Sequence, residues 1–225
     1  MTSDAEMGAV LFDVDGTLVD TNYLHVVAWL GAFQAAGHQV DAAAIHRALG
    51  MGSSELIEHL VGPELAERVG DQVKSEHTSR YHDTRPLMRR FEGSADLLRA
   101  VAKRSVVVLA TSASPEDLSA MLEVLDADDA ISSITGAEDV DAAKPEPDLI
   151  QTALQRANVP ASRAVFVGDS VWDVEAAGRA DVPCVGVLSG GVSRAELSDA
   201  GAIAVYRDVA ELLERLDESP LTAVF

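Results

Sequence analysis

Asp13 and Asp15 stand one residue apart in LFDVDGTLVDT, residues 11–21, where an apolar run gives way to a glycine turn. Like charges that close repel, and the end of a strand is a poor place to hide them. Phosphoryl transfer through a carboxylate would repay the cost. Asp13 would act as nucleophile, screened from the anionic phosphate by a divalent cation, and Asp15 would move a proton to and from the leaving oxygen. Other short apolar runs also end in reactive groups: Thr111 and Ser112 after one, and Gly168, Asp169, Ser170 and Asp173 after another. Asp169 would offer the cation a further oxygen, and Mg²⁺ suits a few carboxylates, water and phosphate. Ser112 would donate a hydrogen bond to a phosphoryl oxygen. Lys144, in AAKPEPDL before a helix that Pro145 is expected to start, would neutralise charge on nucleophile and phosphate.

These residues need a scaffold that brings strand ends together. The apolar runs AVLFD ending at Asp13, Ser105–Ala110, Ala164–Gly168, Val182–Val187 and Ala202–Tyr206 alternate with helical patterns, and Ile131 to Ile134 adds a shorter run. That alternation predicts an α/β fold, a doubly wound, Rossmann-like parallel sheet whose ligands gather beyond the carboxyl ends of the strands. The gap between the first two strands is far longer than one crossover needs. From about Asn22 to Arg90 it carries apolar residues at helical spacing, in NYLHVVAWLGAFQAAG, DAAAIHRALG, SSELIEHLVG and PELAERVGDQVKSEHTSRYHD. The expected division is an α/β core of residues 1–21 and 91–225 and an all-α helical cap of residues 22–90. The tail DESPLTAVF after Arg215 has little periodicity and is expected to be loose.

Composition narrows the partners. The chain has 225 residues, 48% of them apolar, enough for a sizeable core. Its 37 acidic and 17 basic residues give a net charge of -20, which repels nucleic acid and anionic lipid, so the expected partner is a small-molecule phosphate ester. No apolar run reaches about 18 residues, and MTSDAEMG lacks the basic and apolar regions of a signal peptide, so a cytoplasmic location is expected. Cys184 stands alone in an apolar run and is expected to be a buried small hydrophobe. Monomer and homodimer both remain open.

DVDGTLVD, ATSAS, AKPEPD and GDSVWD resemble, in order, the four motifs of the haloacid dehalogenase superfamily. The helical segment after the first resembles the cap of its subfamily I, with phosphoglycolate phosphatases and β-phosphoglucomutases as the similar members. The resemblance implies Asp13 as nucleophile, Asp15 as acid/base and Lys144 as the stabilising lysine. It implies Mg²⁺ held by Asp13, Asp169 and the backbone oxygen of Asp15, with Asp173 in support. It puts Ser112 and Ala113 on the phosphate, because the phosphate-binding hydroxyl of similar sequences stands three residues before the proline, here Pro115; Thr111 is the fallback. The dehalogenases lack the second aspartate of the first motif, so the presence of Asp15 argues against dehalogenation.

A phosphatase is the preferred reading. A mutase is the alternative, since DTNYLHVVAW resembles the start of the mutase cap, and a non-catalytic phosphate-binding regulator is a third reading. The surroundings of Lys74, the one lysine in the expected cap, do not match the mutase pattern. HRALGMGSSEL is expected to face the active site, and Arg47 there either binds the leaving group or is solvated. His25 either contacts substrate or packs at the hinge. His46 is expected to be a solvated helix residue, Arg85, Arg89 and Arg90 a solvated exit segment, Trp29 and Trp172 packing residues, and Gly190 and Gly191 a turn.

Overall fold

A computed structural model describes residues 7–140 and 142–225. Its centre is β1 (Ala9–Phe12), four apolar residues with no exposed surface. β4 (Val106–Ala110) pairs on one side of it and β6 (Ala164–Gly168) on the other, both parallel. β5 (Ser133–Thr135), β7 (Cys184–Val187) and β8 (Ala204–Tyr206) extend the sheet in the order β5-β4-β1-β6-β7-β8. Each expected strand is present: β6 has the expected bounds, and the others are shortened or shifted by one or two residues.

The alternation of strand side chains divides the core into two layers. Val10, Phe12, Val107, Leu109, Val165 and Val167 face one layer, and Ala9, Leu11, Val108, Ala110, Ala164 and Phe166 the other. The first face is covered by α5 (Ser94–Ala102), α6 (Pro115–Leu125) and α10 (Val209–Glu214), through residues such as Leu98, Met121 and Leu212. The second is covered by α7 (Asp148–Ala157), α8 (Val171–Arg179) and α9 (Arg194–Ala200), through Ile150, Val174 and Leu197. Helices on both faces explain why the strands are apolar throughout rather than alternating with polar residues. Cys184 is buried in the second layer, as its apolar run suggested.

Between β1 and β4 the chain forms α1 (Asn22–Ala35), α2 (Ala42–Ala48), α3 (Ser53–Val61) and α4 (Pro63–Thr84). Val26, Trp29 and Phe33 on α1 recur at helical spacing and bury against Ile45, Leu56, Ile57 and Val73, a hydrophobic cluster separate from the two sheet layers. The two strands of chain leading into and out of these helices pair as a short antiparallel ribbon, β2 (Val19–Asp20) with β3 (Arg89–Arg90), which the sequence did not suggest. No helix among the described residues is long and apolar enough to cross a membrane.

Two expectations fail in the core. The tail after Arg215 is not loose: it folds into short 3-10 turns that bury Leu221 and Val224, and the Ser105 hydroxyl donates to the Val224 carbonyl at 2.6 Å. Its apolar residues anchor without helical period because 3-10 turns repeat every three residues. Pro145 does not start α7, which begins at Asp148.

Candidate active site

The chain runs away from β1 to either side, reaching β4 on one flank and later β6 on the other, so the sheet order reverses at β1 and a crevice opens beyond its carboxyl end. Asp13 sits there. Its N–H still donates to the Val167 carbonyl at 2.9 Å, which pins the backbone as the side chain enters the crevice. The side chain of Lys144, 1% exposed, reaches in from the segment before α7, with Nζ 2.6 Å from Asp13 Oδ1 and 2.6 Å from Asp173 Oδ1. Burial alone would push its pKa down, but the two carboxylates outweigh burial and raise it, so the ammonium stays charged. Burial drives the Asp13 carboxyl well up from its ordinary value; Lys144 opposes this, and Asp173, Asp169 and Asp15 add to it.

Asp15 behaves differently. Burial pushes it up, but His25, the Thr21 hydroxyl and Lys144 bring it below the ordinary carboxylate range. Thr21 Oγ1 donates to Asp15 Oδ1 at 2.6 Å, and His25 Nε2 lies 3.3 Å from the same oxygen. Between the two aspartates and the ribbon, Gly16 adopts φ +71, and a Cβ there would press on Asn22 and Asp169.

Asp169 extends β6 and is held from both sides: Thr17 Oγ1 donates to Oδ1 and Asn22 Nδ2 to Oδ2, each at 2.9 Å. Burial and Asp173 push it up to about 7, against the pull of Thr17, Asn22 and Lys144. Asp173 closes a capping box at the start of α8. Its Oδ2 accepts from Ser170 N at 3.0 Å, and its own N–H donates to Ser170 Oγ at 3.2 Å. One residue thus caps a helix and holds the lysine.

Carboxylate oxygens of Asp13, Asp169 and Asp173 lie within 4.8 Å of one another. Three buried acids against one ammonium leave excess negative charge, and for Asp169 the neighbouring Asp173 adds to the larger effect of burial. An all-oxygen donor set of that charge fits a hard divalent cation. The acidic cluster can therefore hold a metal.

A cavity of about 80 Å³ lies over these groups, roofed by the helices that follow β2. Ser112 and Ala113 line it. Thr111 is fully buried behind it, accepting from Ala113 N at 3.1 Å and reaching Asp15 Oδ2 at 3.5 Å. Ser112 faces the cavity and Thr111 faces the acid. His25 also lines the cavity, with its Nδ1 3.1 Å from His77 Nε2 and its ring stacked on Tyr81 at 3.8 Å.

Arg47 lines an adjoining cavity of about 260 Å³ that shares Asn22, Leu49, Asp169 and Ser170 with the first, and its carbonyl accepts from Trp172 Nε1 at 2.8 Å. Other sequence expectations need correction. Trp172 thus bridges α8 and α2 instead of only packing. His46 is not a free solvated residue, since its Nε2 lies 2.7 Å from the Gly190 carbonyl and its ring stacks on Tyr23. Arg85 pairs with Glu116 at 3.1 Å and Asp117 at 3.0 Å at the start of α6, and Arg90 donates to the Leu125 carbonyl at 3.0 Å. Gly190 does more than turn the chain: a Cβ there would collide with the Asp169 carboxylate.

Thr17, Asn22 and His77 were missed. Thr17 and Asn22 flank quoted motif residues, so proximity in sequence was a usable signal. His77 lies one helical turn before Tyr81 on the buried face of α4, a pattern that signals packing and gives no hint of a neighbouring active site.

A family model for haloacid dehalogenase-like hydrolases matches residues 10–187. The chain belongs to that family. Among relatives of this haloacid dehalogenase-like hydrolase, the phosphoglycolate phosphatase of Rhodospirillum rubrum is 33% identical over 218 residues, covering 91% of this chain and 88% of the relative. A phosphorylated carbohydrates phosphatase of Thermotoga maritima is 28% identical, covering 94% and 99%. The crystal structure of a hydrolase from Pseudomonas syringae superposes with a TM-score of 0.85 at 31% identity, covering 94% of this chain and 98% of that one. Family and relatives together class the haloacid dehalogenase-like hydrolase described here as a phosphoric monoester hydrolase.

Proposed function

We propose that this chain is a Mg²⁺-dependent, cytoplasmic phosphatase that hydrolyses a small phosphomonoester, such as a sugar phosphate or a phosphoglycolate-like ester, through an aspartyl phosphate. The observation that carries the reading is the contrast between Asp13, clamped by Lys144 at 2.6 Å, and Asp15, held as a carboxylate by Thr21 and His25. Two neighbouring carboxylates are given different environments and so different tasks. Residues 1–21 and 91–225 form the catalytic core in this proposal, and residues 22–90 the cap.

In the first half-reaction an Asp13 oxygen forms a bond to phosphorus as the ester P–O bond breaks, and Asp15, which must first take up a proton from solvent, passes that proton to the leaving oxygen. In the second, water attacks phosphorus and gives its proton to Asp15 while the Asp13–phosphorus bond breaks. Both aspartates are thereby restored. Lys144 neutralises the nucleophile and the transferring group, and Ser112 with the Ala113 backbone holds the phosphoryl oxygens. Asp13, Asp169 and the backbone oxygen of Asp15 would hold Mg²⁺, with Asp173 behind them, and the ion would screen the phosphate from the acids it must approach.

The test is phosphate release with and without Mg²⁺ across a panel of small phosphomonoesters, with conversion of β-glucose 1-phosphate to glucose 6-phosphate followed in parallel. Release that needs Mg²⁺ and vanishes in Asp13→Asn supports the phosphatase. Isomerisation with little free phosphate would replace it by the mutase, and no turnover at all would leave a phosphate-binding regulator.

A further inference from the structure

The wall that the cap presents to the reacting groups has a chemical character of its own. Trp29, Leu49, Met51 and Leu56 make its apolar part, with Asn22, His25, Ser53 and His77 as its polar members. We propose that this wall restricts the site to phosphomonoesters whose leaving group is short and uncharged, and that it turns away esters carrying a carboxylate beside the phosphate. The inference rests on the phosphatase reading and narrows it to esters with an uncharged leaving group, removing the phosphoglycolate-like ones from the substrates named above.

Charge is the first argument. Among the described residues lining the cavity, Lys144 is the only lysine and no arginine is present, and Lys144 is committed to Asp13 and Asp173. Two other cations of the cap line adjoining cavities instead of this one. Arg47 lies with Trp172 and Glu196 in one that shares Asn22 and Asp169 with it, and Lys74 donates to Ser54 Oγ at 2.7 Å in one that shares Ser53 and Ser112. The two histidines that line the cavity supply no cation either. His25 spends one ring nitrogen on Asp15 and the other on His77. His77 stacks on Trp29 at 3.8 Å, and burial, with His25 beside it, lowers its pKa to about 3, so it meets a ligand as neutral imidazole.

A carboxylate placed against this wall would lose its water and find no counter-charge, while facing Asp13, Asp15 and Asp169 across the cavity. Burial without a partner disfavours the charged form, and neighbouring like charge disfavours it further. A hydroxyl or a methylene carries neither penalty, and the Ser53 hydroxyl can serve the former. Size is the second argument. A cavity of about 80 Å³ has room for roughly five to eight water-sized groups. The phosphoryl group takes about half of that, leaving space for a chain of about three heavy atoms.

The experiment compares 2-hydroxyethyl phosphate with 2-phosphoglycolate, which differ mainly in a hydroxymethyl or a carboxylate beside the ester, with p-nitrophenyl phosphate as control and Mg²⁺ throughout. The expected result is a kcat/KM at least about tenfold higher for 2-hydroxyethyl phosphate. Equal values, or a preference for 2-phosphoglycolate, would overturn the inference and leave the phosphatase reading standing. Turnover of p-nitrophenyl phosphate with neither short ester accepted would also overturn it, whereas no release from any of the three would strike at the phosphatase reading itself. Met51→Lys puts a cation on the wall and should raise the relative rate on 2-phosphoglycolate by about fivefold or more. An unchanged ratio would show that the wall does not set the selection.

Discussion

Lys144 carries more of the site's electrostatic balance than any other residue. It stands between Asp13 and Asp173, and all three are buried. Lys144→Met should remove activity and also destabilise the fold by about 3–5 kcal/mol in urea denaturation, because two buried acids lose their counter-charge. Asp13→Asn should be equally inactive but far milder in stability, since Lys144 keeps Asp173; similar losses for both variants would contradict this account. His77 makes a second residue-scale prediction. Its folded pKa of about 3 lies below the ordinary 6.5, so as pH falls through 6.5 the unfolded chain takes up a proton that the folded chain refuses. Stability therefore declines on acidification by at most about 1.4 kcal/mol per pH unit from this group. His77→Phe should show a shallower slope than the wild type between about pH 6.5 and 5 when urea midpoints are compared.

At the scale of elements, the start of α8 and the C-terminal turns bear on the site from opposite directions. The Ser170 hydroxyl caps α8 and bonds Asp173 Oδ2 at 2.7 Å. Ser170→Ala should cost about 1 kcal/mol of stability through the lost cap, and activity more severely because Asp173 then orients Lys144 less well. A thermal melt beside a rate measurement separates the two effects. The terminal turns seal the bottom of the sheet with Leu221, which has no exposed surface. Leu221→Ala should cost about 2–5 kcal/mol, a loss that a loose tail would not show. The helices of the proposed cap were legible because apolar residues recur in them at helical spacing between Gly or polar breaks. The C-terminal turns were not, because a segment that short has too few residues to display a period, and its burial is decided by what lies beneath it.

For the molecule as a whole, the charge of -20 opposes compactness through self-repulsion. Surface pairs such as Arg99 with Asp129 at 2.8 Å relieve it locally, but acidic residues outnumber basic ones by 37 to 17. Raising NaCl from about 0.02 to 0.5 M should therefore raise the urea midpoint, since screening weakens the net repulsion more than the exposed pairs. A fall in the midpoint would mean that the pairs dominate. The four helices between β2 and β3, the proposed cap, are joined to the rest of the chain through the β2–β3 ribbon and are also touched from across the crevice, where Trp172 donates to the Arg47 carbonyl and His46 meets Gly190. Those contacts hold the apolar wall over the carboxylates.

Local spacing made Asp13, Asp15, Lys144, Asp169 and Asp173 legible in the sequence, each beside a strand end or turn that short-range pattern reveals. The two-layer sheet followed from the same alternation of apolar runs and helices. Tertiary structure decided how these residues are used. Only the packed fold turns Ser112 to the cavity and Thr111 to Asp15, puts Arg47 on an adjoining cavity, and sets His77 against His25 across 52 residues of chain. The reason is physical: a side chain's type and local spacing are properties of its own segment, whereas its direction, partners and charge state depend on groups that sequence distance does not order.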